Sequence, residues 1–178
     1  EGQTRLRVAA ASVTTGALDA FAPLVFSTLG GSFVSALATG GSTLFIGGTF
    51  DRVGADLRIS AAAFDTGTGA LLPWAPLASG SVLAMSAMAD GVVVAGQRLV
   101  SASSSTVQSA FKISAATATP LGWQPGVGGA VSAVFSDGAR VALGGLFTTY
   151  RAVPAAHLVG FNLADGSQWI FHGNHGGG

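Results

Sequence analysis

Apolar residues in this chain come in short runs, each closed by Gly, Asp, Ser or Thr, and none keeps the three-to-four spacing of an amphipathic helix. One set of four runs is Phe33–Ala38, Thr43–Gly48, Ile59–Asp65 and Ala70–Trp74. A second is Val82–Met88, Val92–Gly96, Ser109–Ser114 and Thr119–Trp123, and a third is Val131–Ser136, Arg140–Gly145, His157–Leu163 and Gln168–Phe171. Their richness in Val, Leu, Phe and Ala, with turn residues between, predicts β-strands. The pairs Asp90-Gly91, Asp137-Gly138 and Asp165-Gly166 are turn formers that tolerate the positive φ of tight hairpins. The expectation is an all-β protein.

The three sets are copies of one unit. Gly31, Gly80, Gly129 and Gly178 are spaced by 49 residues, as are Trp74 and Trp123, Pro76 and Pro125, and Gly47, Gly96 and Gly145. The period divides a single domain, 1–178, into a half unit at 1–31 and complete units at 32–80, 81–129 and 130–178. Four strands and their turns consume about 40–50 residues, the length of a propeller blade. An array of four-stranded antiparallel blades is therefore expected, with three full repeats and a half. The second run is the most apolar and reads as an inner strand, whose closing Gly47, Gly96 and Gly145 let backbones crowd or bend. Trp74 and Trp123, with Phe171 in the last unit, are expected to wedge between successive blades. The half unit matches the second half of a repeat, because Ala17–Pro23 aligns with Ala70–Pro76 and sets Phe21 in the tryptophan position.

The string Leu44-Phe45-Ile46-Gly47-Gly48-Thr49-Phe50, echoed by Ala142–Thr149 and followed by Ala62-Ala63-Phe64-Asp65 and Gly69–Trp74, resembles the bacterial delta-60-type β-propeller repeat. The middle unit departs from it, with Ala95-Gly96-Gln97-Arg98 in place of the Gly-Gly-x-Phe signature. The resemblance implies a propeller on a secreted or cell-surface protein and no single activity.

Composition narrows the class of function. Charged residues are 9% of the chain and balance to a net charge of zero, which leaves no electrostatic footprint for nucleic acid. A surface so short of charge suits permanent contact with other protein subunits. Cysteine is absent, which removes disulfides, thiolate metal sites and cysteine nucleophiles. The segment from Ala20 to Phe50 is uncharged, but Pro23 and its glycine pairs predict strands and turns rather than a transmembrane helix. A chain opening on Glu1 accords with removal of a secretory signal, and localisation is expected to be extracytoplasmic.

Candidate chemistry is sparse. His172 and His175, beside Asn174, could share a metal ion, but no third ligand lies near them, and no metal or cofactor is expected. His157 falls in a strand-like run, where packing or hydrogen bonding is its expected role. Asp51 and Asp56 are the carboxylates least easily assigned to turns, and a glycosidase or sugar-binding site would need such a pair. No Gly-x-Ser-x-Gly turn is present, and Gly30-Gly31 and Gly128-Gly129 lack the Lys of a phosphate-binding loop. Arg52, Arg58 and Arg151 lie in the long loop between second and third runs and are candidate contacts to a partner.

These features point to a non-catalytic binding or structural module that presents loops from rigid blades. The alternatives are an accessory subunit of a larger, membrane-bound complex, and a carbohydrate-binding or hydrolytic domain built on Asp51 and Asp56. No residue pattern identifies the ligand. Because a closed propeller needs at least four blades, the array is expected to belong to a larger propeller or to be covered by another polypeptide.

Overall fold

A computed structural model describes residues 4–151, 153–155 and 157–169. Every regular element among them is a strand. In chain order these are β1 (Val25–Phe26), β2 (Phe33–Gly40), β3 (Thr43–Thr49), β4 (Arg52–Val53), β5 (Asp56–Leu57), β6 (Ala61–Asp65), β7 (Leu77–Ala87) and β8 (Gly91–Ser101). They continue as β9 (Val107–Ser114), β10 (Val127–Gly128), β11 (Val131–Ser136), β12 (Arg140–Gly145), β13 (Thr149–Tyr150), β14 (Val153–Pro154), β15 (Leu158–Asn162) and β16 (Gln168–Trp169). No helix among the described residues is long and apolar enough to cross a membrane.

Three antiparallel sheets follow the three complete units: β2-β3-β6, β7-β8-β9 and β11-β12-β15-β16. Two small ribbons, β1-β4-β5 and β10-β13-β14, extend the first and third sheets beyond their glycine bends. In the middle unit the same extension is continuous with the sheet, so β7 and β8 run to 11 residues each. The expected fourth strand forms only in the last unit. In the first two it shrinks to single bridges, Phe64 with Leu71 and Ile113 with Pro120. Pro73 and Pro120 supply no N–H, which limits ladder growth along that edge.

A β-bulge recurs in every unit. The register slips between Val34 and Ala36, between Val82 and Ala84, and between Val131 and Ala133. Val34 pairs with Gly48, Val82 with Gly96 and Val131 with Gly145. The 49-residue spacing aligns Gly47 with Gly96 and Gly145, but strand pairing sets Gly48 in that place, so the first two units differ by one residue at the bulge. A Cβ at Gly48, Gly96 or Gly145 would overlap the carbonyl oxygen of Phe33, Ser81 or Ala130 on the neighbouring strand. Gly47 instead makes room for the next sheet, since a Cβ there would collide with Val82 and Met85.

Successive side chains stand on opposite faces of a strand, and the sheets stack through those faces. One core joins Ala36, Phe45, Ala61 and Ala63 of the first sheet to Val82, Met85, Val92, Val94, Phe111 and Ile113 of the second. Another joins Val93, Ala95 and Ala110 of the second sheet to Val131, Val141, Leu143, Val159 and Phe161 of the third. Each interface thus sets a face of mostly small residues against a face of branched and aromatic ones. A third core covers the free face of the first sheet, where Ile46, Ala62 and Phe64 pack on Val8 and Val25 of the N-terminal segment.

The N-terminal segment repeats one turn of the complete units. Ser12 N donates to Ala17 O at 2.9 Å, as Asp65 N does to Ala70 O (2.9 Å), Ser114 N to Thr119 O (2.8 Å) and Asn162 N to Ser167 O (2.8 Å). The same residue of each turn has positive φ: Gly16 at 69°, Gly69 at 71°, Ala118 at 60° and Gly166 at 67°. One turn is thereby built four times.

Candidate functional site

Two concave features among the described residues lie between units. The larger is a groove of about 690 Å³ between the N-terminal segment and the first sheet, lined among others by Phe21, Pro23, Leu44, Val53, Phe64 and Leu71, with Asp19, Asp56 and Asp65 at its polar side. The smaller, about 320 Å³, is lined by Trp123, Pro125, Tyr150, Arg151, Phe161 and Asp165 among others. They are the same place in the repeat. Phe21 and Trp123 occupy the aromatic position, Phe64 and Phe161 answer from the third strand, and the turns at 65–69 and 162–166 close one side.

The intervening copy is filled by Trp74. Its indole is 3% exposed, meets Phe45 edge-on at 5.0 Å, and donates from Nε1 to Ser114 O at 2.9 Å. Trp74 thus wedges between the first and second sheets. Trp123 packs against the core between the second and third sheets but is only half-buried, with its ring 5.8 Å from Phe161. Phe21 reaches Phe64 at 5.2 Å, nearly perpendicular, and its smaller ring leaves the first groove open. Phe171, His172 and His175 lie outside the described residues.

The carboxylates hold backbone. Asp51 accepts from the amide of Thr28 at 3.0 Å and from its hydroxyl, fixing the turn before β2. The Thr28 hydroxyl is the main reason its carboxyl lies below the usual aspartate range. Asp56 is exposed on β5, opposite Val53 in the ribbon. Asp65 Oδ1 accepts from the amide and hydroxyl of Thr68, both at 2.8 Å, and the hydroxyl bond leads in lowering its pKa. The amides of Arg140 and Ala139 do the same for Asp137, and the Ser167 side chain leads for Asp165. Asp90 is lowered chiefly by Lys112, whose Nζ lies 2.7 Å away. Among the described residues no group of three His, Asp or Glu side chains could hold a metal ion.

Two of the three loop arginines are engaged within the chain. Arg52 Nη1 donates to Ala55 O at 2.9 Å, and Arg58 donates to Leu57 O at 2.8 Å and Leu72 O at 3.0 Å. Arg151 is exposed and sits over the Tyr150 ring at 5.3 Å. His157 is exposed rather than packed, with Nδ1 3.1 Å from Gly145 O.

A polar clasp across the first interface has no counterpart in the sequence pattern. Ser35 Oγ donates to Val82 O and Ser60 Oγ to Gly80 O, both at 2.6 Å, while the hydroxyls of Thr49 and Ser81 meet at 2.6 Å. At the corresponding places the middle unit has Leu83, Gln97 and Ser109, so the spacing carries no signal for it.

No family model matches the chain, and no curated protein matches it in sequence. Among solved structures it is similar to the WD40 domain of Neurospora crassa Pan2, with a TM-score of 0.51 and 14% identity over 78% of this chain. The fold is of β-propeller type. The chain spans 39% of that domain's length.

Proposed function

We propose that this chain is a stretch of a non-catalytic β-propeller of the delta-60-repeat kind, extracytoplasmic, that serves as a binding and structural module. The observation that carries the reading is the groove repeated between units, filled by Trp74 in one copy and left open beside Phe21 and Trp123 in the others. Such a surface recognises by shape and apolar contact, with loops from successive units converging on it. The commitment of Asp51 to Thr28 and of Asp65, Asp137 and Asp165 to turns favours binding over acid–base chemistry.

A second reading, an accessory subunit of a larger membrane-bound complex, is favoured by exposed apolar side chains such as Phe135 and Leu146 on a chain with 9% charged residues. A third, a carbohydrate site on Asp51 and Asp56, would have to work around the turn that Asp51 holds.

Panning a displayed peptide library on the full chain tests the main reading. Bound sequences are expected to lose affinity for Phe21→Trp, whose larger ring fills the first groove as Trp74 fills the second. Binding indifferent to that change places recognition elsewhere. Turnover of a model glycoside by the wild type, lost in Asp51→Asn, would replace the non-catalytic reading.

A further inference from the structure

We propose that the outward face of the third sheet is a docking surface for one further blade-type β-sheet, whose facing side carries branched and aromatic residues. The inference rests on the propeller reading and names the partner of one face, formed by Ala133, Phe135, Ala142, Gly144 and Leu158, with Gly160 already buried behind them.

The register assigns this face. Ala133 pairs with Gly144 and Phe135 with Ala142 on one side, while Gly144 pairs with Leu158 and Ala142 with Gly160 on the other. The corresponding positions of the first sheet are Ala36, Ala38, Phe45, Gly47, Ala61 and Ala63. There the second sheet lies on top, and Ala36 is 7% and Ala63 0% exposed. In the second sheet Ala84, Val93, Ala95 and Ala110 occupy that face, and the third sheet covers them. The stack already repeats one interface twice, always small residues beneath branched and aromatic ones, and the third sheet offers the same lower half again. Phe135 is 65% and Leu158 43% exposed there. Arg140, at the turn end of β12 and paired with Asn162, is the charged residue that the register sets on this face, and the rest of it is apolar.

The third sheet also sets polar side chains at two of the places where the first interface is polar. In the first sheet Ser60 has φ 57°, its carbonyl accepts from Gly48 N at 3.0 Å, and its hydroxyl reaches Gly80 O of the next sheet. His157 takes the equivalent place, with φ 67° and its carbonyl accepting from Gly145 N at 3.0 Å. Ser132 stands at the bulge where Ser35 reaches Val82 O. Ser132 and His157 are both exposed. Two side chains with donor groups thus stand where the first interface sends donors to the backbone of a covering blade.

The test extends the full chain after Gly178 with a second copy of residues 81–129, the unit whose native position is on the equivalent face of the first sheet. Hydrogen exchange of β12 and β15 amides is expected to slow by about tenfold or more relative to the unextended chain. Phe135→Arg should cancel that gain and leave the unextended chain unchanged. An appended unit that exchanges like unfolded chain, or protection insensitive to Phe135→Arg, overturns the proposal. So does a native mass showing the unextended chain as a dimer that Phe135→Arg dissociates, which would make a second copy the occupant. Loss of the propeller reading itself has a separate signature: no protection of β8 and β9 in the unextended chain.

Discussion

Asp65, Asp137 and Asp165 each turn a carboxylate onto backbone amides two or three residues ahead. The ionised group accepts hydrogen bonds more strongly than the neutral one, and all three titrate below the ordinary value of 3.8, led by the side chains of Thr68 at Asp65 and Ser167 at Asp165 and by backbone amides at Asp137. With the folded pKa depressed, the stabilisation is complete above the unfolded value and is lost as pH falls through the folded one. The melting temperature is therefore expected to be flat from pH 7 to about 5 and to drop below about pH 4, with a shallower drop in Asp65→Asn. An acid limb unchanged by that substitution would assign it to other groups. The glycine that follows in these turns is governed by backbone sterics alone at Gly166, where φ is 67° and a Cβ would meet nothing within 4 Å. Gly166→Ala is expected to cost about 1 kcal/mol in a denaturant titration. Ala118, at φ 60° in the same turn of the middle unit, shows that the penalty is tolerable.

At the scale of elements, the two tryptophans share a position and differ in what surrounds them. Trp74 is enclosed by both sheets and hydrogen-bonded to Ser114 O, whereas Trp123 rests partly exposed on Phe161 beside the smaller groove. Trp74→Ala should cost about 3–5 kcal/mol and Trp123→Ala about half that. Equal costs would mean that the indoles are equivalent in solution. The strands of the three main sheets were legible because they combine an apolar run with a turn signal, and the sequence match of Ala17–Pro23 to Ala70–Pro76 is accompanied by a turn after Ser12 that repeats the one after Asp65. Two things were not. The one-residue offset at Gly48 is hidden because Gly47 and Gly48 are adjacent and either satisfies a glycine pattern; only pairing with Val34 separates them. The grooves are hidden because their walls come from two units at once, and no period within one unit reports how fully an aromatic ring fills the gap.

Among the described residues the three main sheets form a stack whose apolar cores join each sheet to the next, so stability is expected to be a sum of unit and interface terms rather than one indivisible core. The middle sheet is covered on both faces: Val92, Val94, Phe111 and Ile113 look toward the first sheet, Val93, Ala95 and Ala110 toward the third, and all are essentially inaccessible. The first sheet has the second on one side and only the N-terminal segment on the other. The third has a neighbour on one side, with Phe135 and Leu158 exposed on the opposite face. Amide exchange should follow this order. Protection is expected to be greatest in β8 and β9, intermediate in β3 and β6, and least in β12 and β15, because opening the third sheet disrupts one interface and opening the second disrupts two. Val82→Ala, which weakens the interface beneath Gly47, should then lower protection in β3 and β8 and leave β12 nearly unchanged. Uniform exchange across all three sheets, shifting together in that variant, would show that the units unfold as one.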